Sequence, residues 1–334
     1  MNHTLVIAEA GVNHNGDLKL ACRLVEAAAE VGADVVKFQA FQAQEIATSQ
    51  AAKAAYQTEA TSEAESQLSM LKKLDLTADK HMQLFEHSQA CGIEFLSTAF
   101  DSACIDMLTT FNLRRWKIPS GEITNLPYLR RVGAQMKPVI LSTGMANLGE
   151  VEAAINVLEH AGTSREQITV LHCTTEYPAP LNEVNLRAMQ TIAQAFGVAV
   201  GYSDHTQGIA VPIAAVAMGA TVIEKHLTLD RSLEGPDHRA SSEPDQFAAM
   251  VQGIRAIEQA MGDGIKQPTA SESANLLVVR KSIVAVRAIQ AGEIFTADNI
   301  TSKRPGTGIS PMHWDAFMGR QASHAYAPDE LIEW

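Results

Sequence analysis

The chain has 334 residues, enough to bury a real core as one large α/β domain or as a large domain with a small companion. With 46% hydrophobic and 19% charged residues it reads as globular, which excludes a disordered or charge-solvated chain. Lys plus Arg number 26 against 38 Asp plus Glu, so the net charge of −12 repels phosphate backbones and anionic lipid, and no nucleic acid and no membrane partner is expected.

No run approaches the roughly 20 apolar residues of a membrane helix, and MNHTLVIAEAG has neither a charged leader nor a long apolar core, so a cytoplasmic location is expected. Cys22, Cys91, Cys104 and Cys173 lie far apart without CxxC spacing and are expected to be reduced packing residues. Taken in chain order, eight short β-branched or apolar runs predict strands: TLVIAE at 4–9, DVVKFQ at 34–39, IEFLST at 93–98, RWKIPS at 115–120, PVILST at 138–143, TVLHCT at 169–174, VAVGYS at 198–203 and TVIEKH at 221–226. Helical spacing follows each, as with Leu18, Ala21, Leu24, Val25 and Ala28 within 17–31, or Val151, Ala154, Ile155 and Leu158 within 149–161. Eight βα units in about 260 residues predict a closed (β/α)8 TIM barrel, an α/β fold, rather than an open doubly wound sheet. One long connection, from about 41 to 75, interrupts the rhythm and reads as a lid or added helices. Past Met261 the rhythm changes. The expected organisation is a barrel over 1–262, a linker over 263–280 bearing GDGIKQPTASESAN, and a small mixed domain over 281–334 with the β-like runs SIVAV and GEIF.

A parallel barrel carries its reactive groups at the carboxyl ends of the strands. The sequence places unusual polar residues there: Glu9, then Lys37 and Gln39, Ser97 and Thr98, Lys117 with Ser120 and Glu122, Thr143, Thr174 and Tyr177, Ser203 and His205, and Glu224 and His226. Alternation puts Lys37 with Gln39, Ser203 with His205, and Glu224 with His226 on common faces, and turns Lys225 outward. His205 and His226 end neighbouring strands about 5 Å apart, where two imidazoles can share Mn²⁺, Fe²⁺, Co²⁺ or Zn²⁺ with open positions, unlike a closed structural zinc. A lysine aimed into a barrel mouth needs an anion, so Lys37 and Lys117 point to a phosphate or carboxylate ligand or, alternatively, to internal Lys–Glu pairs. Thr98, Ser120 and Ser203 add hydroxyl donors. Glu9 and Glu122 are candidates for holding sugar hydroxyls or moving a proton. His14 in GVNHNG reads as turn chemistry and His172 as a structural hydrogen bond. In GPDHRAS, Asp237 beside His238 and Arg239 is a candidate for a sugar hydroxyl, against the alternative of a solvated loop.

The ordered motifs IAEAGVNHNG, VVKFQ, STAF, WKIPSGE, STGM, HCTTEYPAP, GYSDHT, IEKHLTLD, GPDHRAS and KRPGTGIS resemble those of the sialic acid synthase family over nearly the whole chain. The resemblance implies a (β/α)8 barrel followed by an antifreeze-like domain. It also implies a metal-dependent enzyme joining phosphoenolpyruvate to an N-acylated mannose-type sugar, giving a nine-carbon 2-keto acid and phosphate. By motif, His205 and His226 become ligands of a divalent metal, manganese first with magnesium or cobalt as alternatives. Lys37, Thr98, Lys117, Ser120 and Ser203 hold phosphoenolpyruvate; Glu9, Gln39, Tyr177 and Asp237 face the sugar; Glu122 sits beside the reacting centre. Arg304 matches an arginine that reaches the sugar's N-acyl group from the other subunit of a domain-swapped homodimer. Thr175 stands where some members have Asn at a phosphoenolpyruvate contact. STGMANLGE, HCTTEYPAP and GPDHRAS are especially similar to legionaminic acid synthases, which use 2,4-diacetamido-2,4,6-trideoxymannose; N-acetylneuraminate synthases, which use N-acetylmannosamine, are the alternative. Octulosonate- and heptulosonate-forming enzymes should demand more arginines at the mouth, and a non-catalytic sugar- or ice-binding module needs neither paired histidines nor two lysines there.

Overall fold

The computed structural model describes residues 3–48, 50–53, 58 and 66–334. The chain divides into two compact units, Met1–Gly262 and Asp263–Trp334. In the first, the eight expected strands form: β1 Leu5–Gly11, β2 Val35–Ala40, β3 Glu94–Ala99, β4 Trp116–Ile118, β5 Val139–Ser142, β6 Ile168–Cys173, β7 Ala199–Asp204 and β8 Val222–His226. They pair in parallel in the order β3-β2-β1-β8-β7-β6-β5-β4. Among the described residues no ladder joins β3 to β4, but the two lie side by side, so the barrel is nearly closed.

The helices that wrap it follow from local chemistry. Asp17 accepts from Lys19 N and starts the helix Leu18–Glu30, which buries Ala21, Leu24, Val25 and Ala28 along one stripe. Asn147 and Glu150 cap Leu148–Ala161 reciprocally, and that helix buries Val151, Ala154, Ile155 and Leu158. Of the long connection at 41–75, the described part carries two helices, Ala43–Ile46 and Gln67–Leu74; 49, 54–57 and 59–65 lie outside the described residues. A register shift between Glu9 and Gly11 breaks the β1–β2 ladder. Gly11 takes φ +52 there, and a Cβ on it would lie 3.2 Å from Glu9 Oε1.

The second unit corrects two expectations. The stretch 263–280, expected as a linker, contains the helix Ala270–Val279, because Thr269 and Glu272 form a reciprocal capping box that outweighs the Gly and Pro before it. GEIF is not a strand; Ile294 makes a single bridge to Gln321, while β9 Ser282–Ala285 pairs antiparallel with β10 Ile300–Lys303. A small core of Ile283, Ile289, Phe295, Ile300, Phe317 and Tyr326 holds this unit together.

Candidate active site

The carboxyl ends of the strands enclose a cavity of about 550 Å³. Its floor is a buried lattice of two lysines and two glutamates. Strand register sets part of it directly: Glu9 on β1 stands opposite Lys37 on β2 and His226 on β8, and Ser203 on β7 stands opposite Glu224 on β8. Lys37 Nζ lies 2.5 Å from Glu9 Oε2 and 3.7 Å from Glu224 Oε2, and donates to Thr98 Oγ1 at 3.2 Å. Lys117 Nζ donates to Ser142 Oγ at 2.7 Å and sits 3.6 Å from Glu224 Oε1. Gln39 Nε2 donates to Glu9 Oε1, and Ser203 Oγ to Glu224 Oε1. The internal Lys–Glu pairs weighed as an alternative are therefore present.

Burial works against every one of these charges: the neighbours win at Glu224 and Lys37, while burial wins at Lys117 and at Glu9, whose carboxyl is raised despite Lys37 beside it. Burial lifts the Glu224 carboxyl, but the flanking ammonium groups of Lys117 and Lys37 outweigh it and hold it below the usual range. For Lys37, burial opposes the charge and the carboxylates of Glu224 and Glu9 win, so its pKa is raised. Lys117 has Glu224 but also feels Lys37, and burial lowers it. Two ammonium groups against two carboxylates leave the floor formally neutral.

Above the floor the two histidines stand with ring centroids 5.6 Å apart, and the Tyr177 ring lies 4.1 Å from His205 and 5.6 Å from His226. His205 Nδ1 is 2.6 Å from the Thr174 carbonyl, which makes it the donor and leaves Nε2 with a free lone pair. Burial lowers both imidazoles, His226 well below its ordinary value with His205 and Lys37 adding to the effect, so both are neutral. His226 Nδ1 is buried without a hydrogen-bond partner, 3.8 Å from Asp237 Oδ2. Burial, then Glu9, pushes the Asp237 carboxyl up to about 7. The lone pair left on His205 Nε2 and the unpartnered buried Nδ1 of His226 are two neutral nitrogen donors of the kind a divalent cation with open positions takes, although among the described residues no three His, Cys, Asp or Glu side chains form a ligand group.

Of the remaining expected residues, Ser120, Thr175 and Tyr177 line the cavity. Ser120 Oγ accepts from Gly144 N, and Thr175 Oγ1 is buried without a partner; a Cβ at Gly144 would lie 2.0 Å from that oxygen, so only glycine leaves room for it. Glu122 is not among the lining residues: it sits on the 3-10 turn Ser120–Glu122, where its carboxylate accepts from Asn125 and burial raises its pKa. Arg304 belongs to the second unit, where its Nε donates to the Val279 carbonyl. Thr143 turns away and donates to the Leu171 carbonyl, and Ser142 takes the cavity position instead, because alternation from Ile140 brings 142 inward. His172 bonds the Val184 carbonyl as expected. Lys225 leaves the barrel interior as expected, yet it is 1% exposed, locked to Asp204 Oδ2 at 2.5 Å and the Thr206 carbonyl at 2.7 Å. Residue-level reading missed the part of Glu224 as the pivot between both lysines, although its place two residues before His226 carried the signal. The helix Gln67–Leu74, a wall of the cavity, falls within the connection expected as a lid or added helices.

A model described as the NeuB family matches residues 24–266, and one described as the SAF domain matches 280–334. The chain belongs to the NeuB family. This NeuB-family chain is 55% identical to N,N'-diacetyllegionaminic acid synthase of Campylobacter jejuni over 332 residues, 99% of both chains. It is 46% identical to the protein of the same description from Legionella pneumophila over 331 residues, 98% of this chain and 93% of the relative. The crystal structure of N-acetylneuraminic acid synthetase from Leptospira borgpetersenii superposes with a TM-score of 0.72 at 34% identity, covering 82% of this chain and 90% of that one. The family resemblance carried by the ordered motifs is thus shown, as are the barrel and the C-terminal SAF domain.

Proposed function

We propose that this NeuB-family chain is a nonulosonate synthase that condenses phosphoenolpyruvate with open-chain 2,4-diacetamido-2,4,6-trideoxymannose to give N,N'-diacetyllegionaminate. C3 of phosphoenolpyruvate bonds to C1 of the sugar, water adds at C2, and the tetrahedral adduct expels phosphate by C–O cleavage. The observation that carries the reaction class is the convergence of two buried lysines and two neutral imidazoles on one barrel mouth. The relatives at 55% and 46% identity support the acceptor sugar. Condensation with N-acetylmannosamine is the second reading, favoured by the 34% identical Leptospira structure.

In this reading Lys37 and Lys117, with Thr98, Ser120, Ser203 and Thr175, bind phosphoenolpyruvate, while Glu9, Gln39, Tyr177 and Asp237 face the sugar. Because the floor is already neutral, a polyanionic ligand requires either that the lysines loosen from Glu9 and Glu224 or that further positive charge arrives with it. His205 and His226 would hold a divalent cation, manganese first and magnesium or cobalt as alternatives, which supplies Lewis-acid polarisation of an aldehyde oxygen. Asp237, with a pKa of about 7, is suited to pass a proton at the sugar end, whereas Glu122, which does not line the cavity and is held by Asn125, takes no part in this reading. Holding both substrates in one mouth is worth on the order of 7 kcal/mol in favourable cases. Arg304 of a second copy, in a domain-swapped homodimer, completes the N-acyl contact, and a cytoplasmic location goes with a phosphoenolpyruvate-using reaction.

The test is phosphate release from phosphoenolpyruvate with Mn²⁺ and each acceptor. The diacetamido sugar is expected to give the higher kcat/KM, and release is expected to vanish on chelation and in His205→Ala and His226→Ala. Release with neither sugar overturns the reaction; full activity of either variant in metal-stripped protein overturns the metal role.

A further inference from the structure

The cavity changes character from floor to rim, and strand alternation makes it do so. On β2 the inward series runs Lys37, Gln39 and, one residue past the strand, Phe41; on β3 it runs Thr98 and then Phe100. The two phenyl rings meet edge to face, with centroids 6.3 Å apart. Packed with them, the helix Gln67–Leu74 presents Gln67, Met70, Leu71 and Leu74 to the cavity, the i, i+3, i+4, i+7 face of a helix. Met70, Leu74 and Phe41 belong to a small hydrophobic cluster of their own, with Leu71 and Phe100 packed against it.

We infer that this apolar rim is the acceptor-specificity element: Phe41, Phe100, Met70, Leu71 and Leu74 seat the 6-methyl and the 4-acetamido methyl of the sugar, and Gln67 pairs with the acetamido amide. The inference rests on the proposed condensation and deepens it by saying what distinguishes the acceptor. The charged floor takes the end that reacts, so the far end of a six-carbon chain lies against the rim. An acetamido group is a methyl joined to an amide, and it fits an apolar wall with one amide at its edge. N-acetylmannosamine instead brings hydroxyls to that wall, where they lose water without an equivalent partner. Discrimination of this kind, combining lost methyl contact with a stranded hydroxyl, is worth on the order of 100-fold in kcat/KM.

The experiment measures kcat/KM for both sugars in the wild-type protein and in Leu71→Gln, Leu71→Met and Gln67→Ala. The wild type is expected to favour the diacetamido sugar about 100-fold. Leu71→Gln and Gln67→Ala are each expected to reduce that ratio tenfold or more, chiefly through the KM of the diacetamido sugar, while Leu71→Met keeps it. The thermal shift produced by phosphoenolpyruvate reports whether each variant retains its folded floor, and Gln67→Ala, at a half-buried position, decides the matter if Leu71→Gln does not fold. A wild type that prefers N-acetylmannosamine overturns the acceptor reading beneath the inference. A wild type with the expected preference, together with folded variants that keep it, overturns the assignment of the rim alone.

Discussion

Glu224 shows how much of the site depends on one carboxylate. Its two oxygens lie 3.7 Å from Lys37 Nζ and 3.6 Å from Lys117 Nζ, and burial leaves neither lysine water to fall back on. Glu224→Gln keeps the shape and removes the charge, leaving two ammonium groups against Glu9. Losing one partner of a buried ionic group costs about 3–5 kcal/mol because the charge left behind is uncompensated. The variant is therefore expected to melt lower than the wild type, and a polyanion should restore the balance. Phosphoenolpyruvate is expected to raise its Tm more than it raises that of the wild type. Equal shifts for the two proteins, or an unchanged Tm, would show that Glu224 does not set the charge of the floor. Residue types and their faces were legible from strand parity, which correctly grouped Lys37 with Gln39 and Glu224 with His226. Which charge meets which was not, because Lys117 and Glu224 sit on β4 and β8, and such pairs form only across the barrel interior. Ser142 escaped for a smaller reason: the end of β5 falls one residue earlier than the apolar run suggests.

At the scale of elements, the loop after β1 and the helix Gln67–Leu74 form one assembly. Gly16 sits at φ +75, and a Cβ there would lie 2.4 Å from the Lys73 carbonyl oxygen, a backbone atom that cannot swing aside. Lys80 Nζ also donates to the Gly16 carbonyl. Gly16→Ala therefore combines left-handed strain with a backbone clash, and is expected to cost more than about 1 kcal/mol. It is also expected to push the rim helix away from the cavity and raise the KM of the acceptor more than that of phosphoenolpyruvate. Denaturant titration and separate KM values check this, and an equal rise in both would mean the loop supports the barrel in general rather than its rim. The barrel strands were readable because buried parallel strands need β-branched and apolar runs whatever their partners. The helix Ala270–Val279 was obscured by composition: Gly and Pro just before it suggested a linker, whereas Thr269 and Glu272 were the decisive signal. GEIF has the residues of a strand, but only Ile294 finds a bridge, so propensity went unrealised for lack of a neighbour.

Over the whole molecule the response to acid should be governed by buried imidazoles. Besides the pair at the cavity, His14, His81 and His238 are all at most 1% exposed. Burial, reinforced by His81, Lys80 and His238, lowers His14 to about 3; burial lowers His81, and burial partly offset by Asp230 takes His238 to about 4. His14 Nδ1 accepts from Gly16 N, a bond that requires the neutral ring or at least that lone pair. The unfolded chain binds protons on these rings near pH 6.5 and the folded chain does not, so between pH 6.5 and about 3 the unfolded state holds more protons. Stability is then fully present above pH 6.5 and lost as pH falls toward the depressed folded values, by on the order of 5 kcal/mol for His14 alone. Asp237, raised to about 7, and Glu9, also raised, bind protons in the folded chain and oppose this loss in part. Five buried imidazoles are depressed against them, so denaturant midpoints measured from pH 7.5 to 4 are expected to fall, with net proton uptake on unfolding. His14→Asn keeps an acceptor near Nδ1 and removes the titration, so its midpoints should decline less steeply over the same range. A variant with the wild-type slope would place the acid sensitivity on other groups, and a flat wild-type profile would mean that water reaches these rings in the folded protein.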